Sequence, residues 1–289
     1  MRAELGKSGR LESLAIEAGG PRLEAVLVAL CRVLAREGFE ECDASGQLRQ
    51  ARQPANVVAP VIFPLALLAV NSGGLQPATS IPGFPADRFV AFALAIPFMQ
   101  GALFATMNAG TDLARDIQTG FLSRLSLTPV RGIALVLGQL AGVGFVATIQ
   151  AVVYVAVAYA VGVHPRAGAA GVVVLLGLAI AIAIGFGAVG VFMALRTGTG
   201  ESVQGLFPLL FVFLIISSMN FPRNLIESDW FRWAATINPV SYLIEGIRSL
   251  IIAGWDGRAL GLAFAITVAL LAAALLVSAV ALRTRMTRT

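Results

Sequence analysis

The chain of 289 residues is 57% hydrophobic and only 13% charged, with a mean hydropathy of +0.83. A soluble domain of this length could not bury that much apolar surface, so the composition excludes this class and predicts an integral membrane protein. The net charge of +5 lies mostly where membrane topology would place it, and we therefore expect no nucleic-acid partner.

The first 52 residues predict a cytoplasmic segment that contains an amphipathic helix. Leucine and valine repeat at helical spacing over about residues 22–37, whereas Arg22, Arg32 and Arg36 fall largely on other faces. This pattern favours a helix that lies in the cytoplasmic membrane interface. The alternative is a soluble helix packed on the cytoplasmic face of the protein itself.

Six apolar segments have the composition of membrane-spanning helices, which need about 20 residues. None contains Asp, Glu, Lys or Arg, although the first is short and rich in proline. Together they predict a transmembrane domain over residues 53–283, followed by a cytoplasmic tail over 284–289. In chain order, the predicted spans are Pro54–Val70, Phe89–Gly110, Gly132–Val163, Ala167–Leu195, Ser202–Asn220 and Ala259–Leu282.

The arginines predict the orientation of these spans. Arg49 and Arg52 precede the first span, and Arg283, Arg285 and Arg288 follow the last. Because cytoplasmic flanks carry an excess of Lys and Arg, both termini are expected on the cytoplasmic side. The segment between the fifth and sixth spans then faces outward.

The loop between the second and third spans mixes charged and apolar residues in the run "TDLARDIQTGFLSRLSLTPVRG". Thr128-Pro129 should end a short helix there, because the residue before a proline disfavours the α conformation. A short amphipathic cytoplasmic helix would suit docking into another protein. An ordinary solvated loop is the alternative.

The segment between the fifth and sixth spans is too polar to cross a membrane, yet it is rich in Trp and Tyr, which favour the membrane–water boundary. Asn238-Pro239 divides it, and Pro239 is well placed as the first residue of a second helix. Glu245 and Arg248 lie at i and i+3, so a salt bridge between them would reduce the cost of charge at membrane depth. The pattern predicts two short re-entrant helices; an interfacial loop with incidental charges is the alternative.

Several kinds of chemistry are excluded by what the sequence lacks. His164 is the single histidine, so a metal site built from several histidines is excluded, and we expect no Ser-His triad within one chain. The run Gly6–Ser8, "GKS", lacks the earlier glycine of a phosphate-binding loop, since Met1 stands at that position. We therefore expect no enzymatic activity, no metal and no cofactor on this chain. The spans also lack the charges typical of ion-coupled pumps, so a partner would supply the energy for uphill transport.

Two motifs resemble those of one family. The run "INPVSYLIEGIRSLI" resembles the NP-x-x-Y-x-x-E-x-x-R segment of ABC type-2 exporter permeases, the daunorubicin-resistance-like transmembrane subunits. The run "DIQTGFLSRLSLTPVRG" resembles the cytoplasmic loop of the same family. The resemblance extends from about Arg52 to the C-terminus. It implies an all-α membrane fold with six transmembrane helices, an N-terminal interfacial helix and two re-entrant outer-leaflet helices before the last span.

The resemblance also assigns roles to individual residues. The apolar side chains of the cytoplasmic loop would enter a groove on an ATPase, and Arg124 would reach an acidic group of that partner. This ATPase-coupling loop would comprise Thr119, Gly120, Phe121, Leu122, Arg124, Leu125, Leu127, Thr128 and Pro129. Glu245 and Arg248 would hold the outer helix in position, and Tyr242 would anchor it at the interface. The outer re-entrant helix would include Asn238, Pro239, Tyr242, Glu245 and Arg248.

A family member of this kind would be the permease subunit of an exporter in the bacterial inner membrane. Separate ABC ATPase subunits would carry ATP and Mg²⁺, and a second permease copy and membrane lipid would be further partners. The cargo would be a hydrophobic, drug-like or lipidic compound moved outward from the cytoplasm or the inner leaflet, which Phe207, Phe211 and Phe213 mildly favour. The alternatives are export of a lipid-linked glycan by the same machine, or a stand-alone channel or carrier.

Overall fold

The computed structural model describes residues 54–120 and 132–286, with side chains over 60–120 and 136–282. Within these ranges the chain forms helices joined by turns, and no β-strand is present there. The predicted helix at residues 22–37 lies outside the described residues. So do Phe121 to Pro129 of the predicted coupling loop and the last residues of the tail.

The helices follow one another with short connections. The α-helices of the described ranges are α1 (Pro54–Gly74), α2 (Phe89–Ala93), α3 (Ala95–Gln118), α4 (Gly132–Ala160), α5 (Gly168–Thr197), α6 (Gly200–Ile215), α7 (Asp229–Ile237), α8 (Pro239–Arg248) and α9 (Gly257–Met286). Two 3₁₀ turns, Gln76–Ser80 and Arg223–Leu225, and a π-helical turn, Ser249–Ala253, lie between them.

Four of the predicted spans are long and apolar enough to cross a membrane, so the chain is a multi-pass helical membrane protein. They are Phe89–Gln118, Val136–Ala160, Gly168–Thr197 and Gly257–Leu282. The first and fifth predicted spans correspond to shorter apolar helices, Pro60–Gly74 and Gly200–Ile215. The 16 residues of α6 extend about 24 Å, less than the ~30 Å of a bilayer core.

Burial places α3 at the centre of the bundle and α9 at its edge. The most apolar window of the α2–α3 span is 83% buried, whereas that of α9 is 22% buried. The α3 helix also continues past its predicted end at Gly110 as far as Gln118. Asp112, Arg115 and Asp116 therefore lie on the last turns of a helix, where the sequence predicted a loop.

Glycines of α5 let three neighbouring helices approach it closely. A Cβ built on Gly190 would lie 2.0 Å from the carbonyl oxygen of Thr106 in α3. One built on Gly187 would lie 3.0 Å from Val143 of α4, and one on Gly185 would reach α9 at 3.5 Å. These approaches place α5 between α3, α4 and α9, with small residues at the helix contacts, as is typical of membrane bundles.

A hydrogen bond from Tyr154 compensates for a proline inside α1. Pro64 has no N–H, so the carbonyl of Pro60, one turn earlier, lacks its usual helical donor. The hydroxyl of Tyr154, which is 1% exposed, donates to that carbonyl at 2.9 Å. Since lipid offers no replacement donor, this contact allows the proline-containing helix to pack in the bundle.

Substitution of Gly190 by Ala should destabilise the protein, because the added methyl group would collide with the backbone of α3. We expect a loss of about 2 kcal/mol or more in the free energy of unfolding, seen as a lower midpoint of thermal unfolding in detergent. Gly177→Ala, in the same helix with open space around it, is the control and should leave the midpoint unchanged or slightly raised.

Substitution of Tyr154 by Phe keeps the ring but leaves the Pro60 carbonyl without a donor. The expected cost is about 1–2 kcal/mol, again measured as a lower midpoint of thermal unfolding. Tyr159→Phe removes a hydroxyl from a half-exposed residue of the same helix and should have little effect. Equal midpoints for the two variants would contradict the role assigned to Tyr154.

Candidate functional site

Two short helices, α7 and α8, are present where the sequence predicted them, and they meet at Asn238-Pro239 as a helical hairpin. The side-chain oxygen of Asn238 accepts a hydrogen bond from the backbone N–H of Val240 at 3.0 Å, and Pro239 is the first residue of α8. The side-chain nitrogen of Asn238 donates to the carbonyl of Phe213 at 2.5 Å. This residue therefore caps α8 and ties the hairpin to the end of α6.

Arg248, the last residue of α8, is buried and binds three backbone carbonyls. Its Nε donates to Phe92 at 3.1 Å, and its two terminal nitrogens donate to Ser218 and Met219, each at 3.0 Å. The guanidinium carbon also lies 3.4 Å from the centroid of the Phe92 ring. One side chain thus joins α8 to α2 and to the turn that follows α6.

These carbonyls are close to points where helices are interrupted. The α6 helix ends at Ile215, so Ser218 and Met219 lie in a turn. The α2 helix is separated from α3 at Leu94, and Pro97 has no N–H for the carbonyl of Ala93, the residue after Phe92. A buried carbonyl without a donor costs about 1–3 kcal/mol, and a hydrogen bond to a charged donor contributes about 1.5–3 kcal/mol. The buried cation and the open carbonyls therefore stabilise each other.

The predicted salt bridge between Glu245 and Arg248 is wrong: Glu245 forms a salt bridge and hydrogen bond with Arg223 instead. The i, i+3 spacing permits the predicted pair, but the guanidinium of Arg248 is turned into the interior, where carbonyls occupy its donors. Glu245 lies near the surface, about a quarter exposed, as is the Arg223 side chain. The two residues join the Arg223–Leu225 turn to α8.

The surroundings of Arg223 favour its charged form. Burial by itself would lower the pKa of Arg223, but the hydrogen bond and the negative charge of Glu245 outweigh it and raise the pKa above the ordinary arginine value. The guanidinium carbon lies 4.5 Å from the centroid of the Tyr242 ring. The hydroxyl of Tyr242 donates to the carbonyl of Thr236 at 2.8 Å, so this predicted anchor also joins α8 to α7.

Two further contacts hold α8 against its neighbours. The backbone N–H of Ser218 donates to the hydroxyl of Ser241 at 3.2 Å, and the hydroxyl of Ser218 donates to the Ser241 carbonyl at 3.4 Å. On the side facing α9, a Cβ built on Gly246 would lie only 2.4 Å from the Cβ of Ala263. A glycine in α8 is therefore required for this close approach.

The outward face of α7 is apolar and exposed. Trp230 and Trp233 are each 68% exposed and Ile237 is 60% exposed, at positions that share one helical face. Trp255, which precedes α9, is 59% exposed. Because tryptophan is enriched at membrane–water boundaries, these side chains are suited to an interfacial position.

The predicted coupling loop begins directly at the end of α3. The N–H of Thr119 donates to the carbonyl of Arg115 at 2.9 Å, and Gly120 follows with a φ of 72°, a left-handed conformation that glycine adopts readily. The other loop residues lie outside the described ranges. The α3 helix thus runs from near Phe92, the partner of Arg248, to the start of this loop.

Sequence reasoning missed Arg223, Phe92 and Ser218 as parts of the site. Arg223 is 22 residues from Glu245, and Phe92 is 156 residues from Arg248. Helical periodicity relates residues that lie three or four positions apart, so it carries no signal for such pairs.

Substitution of Arg248 by Gln should leave buried carbonyls without donors and destabilise the protein by at least about 3 kcal/mol. The measurement is the midpoint of thermal unfolding of the purified protein. Arg232→Gln is the matched control, because Arg232 forms an exposed pair with Asp229 within α7, and such pairs contribute less than about 1 kcal/mol. Similar midpoints for both variants would contradict the structural role of Arg248.

Comparison with known proteins agrees with this architecture. The family described as ABC-2 type transporter matches residues 44–252, more than two thirds of the chain and a range that includes α1 to α8. No curated protein matches the chain. The matched range contains both motifs from which the resemblance was drawn. The chain belongs to the ABC-2 type transporter family and supplies its membrane-spanning domain.

Proposed function

We propose that this chain is the permease subunit of an ATP-driven exporter in the bacterial inner membrane. Membership of the ABC-2 transporter family is the observation that carries the proposal. The sequence offers no phosphate-binding loop, so separate ATPase subunits, loaded with ATP and Mg²⁺, would drive transport. Two permease copies would assemble with them, and this chain would hydrolyse no ATP itself.

In the proposed arrangement the chain crosses the membrane six times, with α1 and α6 as short spans and both termini in the cytoplasm. The α7–α8 hairpin re-enters the outer leaflet, and residues 1–52, 53–283 and 284–289 form the N-terminal segment, the transmembrane domain and the tail. Exposed apolar side chains on three helices support contact with lipid or a second copy. They include Leu137, Phe145 and Val152 of α4, Leu209 and Val212 of α6, and Val268, Leu276 and Val280 of α9.

A column of aromatic rings supports a hydrophobic cargo. Phe63 of α1 contacts Phe104 of α3 with ring centroids 6.0 Å apart, and Phe104 lies 5.7 Å from Phe207 of α6. Phe207 stacks on Phe211 at 5.8 Å, so two of the three phenylalanines singled out in the fifth span belong to the column. Phe63 is 45% exposed, which opens the column to the surface. Export of a drug-like or lipidic compound fits this surface best.

A lipid-linked glycan is the second candidate cargo, because sugar rings also pack on aromatic faces. The buried amide of Gln100 bears on this choice. Both of its polar atoms are buried without a hydrogen-bond partner, and it lies one turn from Phe104 on the same side of α3. A second buried amide, Gln150, lies against Gly101, next to Gln100 in the chain. Two amides close to a column of four phenylalanines suit a mostly apolar molecule with few polar groups better than a sugar chain.

The coupling loop gives the first test of this function. Purification of the tagged protein from its host in mild detergent should recover an ABC ATPase in stoichiometric amount. Leu125→Asp should abolish this recovery, because the proposal buries Leu125 in a groove of the ATPase, where an unpaired charge is costly. Ser126→Asp is the matched control, since it adds the same charge at the next position, and should retain the ATPase. Bound protein would be identified by mass spectrometry.

Recovery of the permease alone, under conditions that preserve ABC complexes, would count against the proposal. A stand-alone channel or carrier would then become the leading function. Equal loss of the ATPase from both aspartate variants would mean that the loop tolerates no added charge. That result would contradict a specific role for Leu125 in binding the ATPase.

A further inference from the structure

Two arginines hold the outer hairpin, and their environments differ. Arg248 is 6% exposed, and all three of its nitrogens donate to backbone carbonyls. Arg223 and Glu245 are 25% and 26% exposed at their side chains. A partly exposed ion pair can open at little cost because water solvates both charges, whereas a buried guanidinium cannot leave its acceptors so easily.

The short chain between these two contacts contains an unsatisfied polar atom. The carbonyl of Met219 is bound by Arg248, and Arg223 begins the next turn four residues later. Between them, the side-chain oxygen of Asn220 is buried without a hydrogen-bond partner. Movement of this turn away from α8 would expose the side-chain oxygen of Asn220 to water. The gained hydration would offset part of the loss of the ion pair.

The Arg223–Leu225 turn lies between α8 and the loop that precedes α2. Leu225 approaches this loop closely, at 3.7 Å from a Cβ built on Gly83. On the other side, Arg223 reaches Glu245 and the ring of Tyr242. The turn therefore closes the outward end of the bundle between two separate parts of the chain.

We propose that Arg223 is a positioning residue whose salt bridge with Glu245 latches the Arg223–Leu225 turn onto α8, and that this latch opens when cargo leaves. Arg248 remains bound and keeps α8 attached to α2 and to the turn after α6. The role in cargo release rests on the proposed exporter function. The latch itself is a property of the chain alone.

The test measures access of water-soluble reagent to position 220. Cys31 and Cys42, the only cysteines of the chain, are replaced by Ser, and Asn220→Cys is introduced as a reporter. The full chain is placed in lipid nanodiscs, and the rate of labelling by a membrane-impermeant maleimide is measured. Arg223→Gln and Glu245→Gln should each raise this rate about fivefold, the factor that corresponds to about 1 kcal/mol.

Three comparisons separate a latch from general loosening. Arg232→Gln, which breaks the exposed pair within α7, should leave the labelling rate unchanged. The exchange of Arg223→Glu with Glu245→Arg should restore slow labelling, because it restores the attraction with reversed signs. A second reporter, Ser218→Cys, lies at the Arg248 contact and should stay slow in both latch variants.

Unchanged labelling at position 220 in both latch variants would overturn the proposal. Faster labelling at position 218 would also overturn it, because the whole hairpin would then have come away from the bundle. The assay uses neither ATPase nor cargo. The latch can therefore fail while an ATPase still co-purifies with the chain, and it can hold even if none does.

Discussion

The burial of the Arg248 guanidinium among backbone carbonyls is the constraint on which the packing around α8 depends. A membrane interior supplies no water to a carbonyl left open by a helix break, so the protein must provide the donor. Here the break between α2 and α3 and the end of α6 both present carbonyls to one side chain. The planar guanidinium carries donors on three nitrogens and binds all three carbonyls at once. A lysine ammonium has all its donors on one nitrogen and could not bind the three carbonyls with the same geometry.

The same requirement explains other features of the bundle. Tyr154 supplies the donor that Pro64 removes from α1. The π-helical turn after α8 leaves carbonyls of Leu250 and Ile251, which accept hydrogen bonds from the N–H groups of Ala167 and Arg166 at 3.2 and 3.1 Å. Such contacts need close helix packing, and the glycines of α5 and α8 allow it. Hydrogen bonds to backbone carbonyls and small residues at the helix contacts therefore act together.

The contacts that hold α8 differ in burial from those that hold the Arg223–Leu225 turn. The α8 helix is held by Arg248, by the Ser218–Ser241 hydrogen bonds and by its close approach to α9 at Gly246. The Arg223–Leu225 turn is held by an ion pair whose side chains are about a quarter exposed. At the other end of the bundle, α3 ends where the proposed coupling loop begins. An exporter needs an end that can open while the helices stay packed. The buried contacts of Arg248 beside the partly exposed Arg223–Glu245 pair would suit that need.

Composition alone determined that this is a helical membrane protein, since so much apolar surface cannot be buried in a soluble domain. Apolar runs located the helices and Asn238-Pro239 located the hairpin break, because each of these depends on residues adjacent in the chain. Only the tertiary structure decided the early end of α6, the partner of Glu245 and the acceptors of Arg248. Those features depend on which distant segments meet in space. An i, i+3 spacing gives no information about the Phe92 carbonyl, which is 156 residues from Arg248 in the chain.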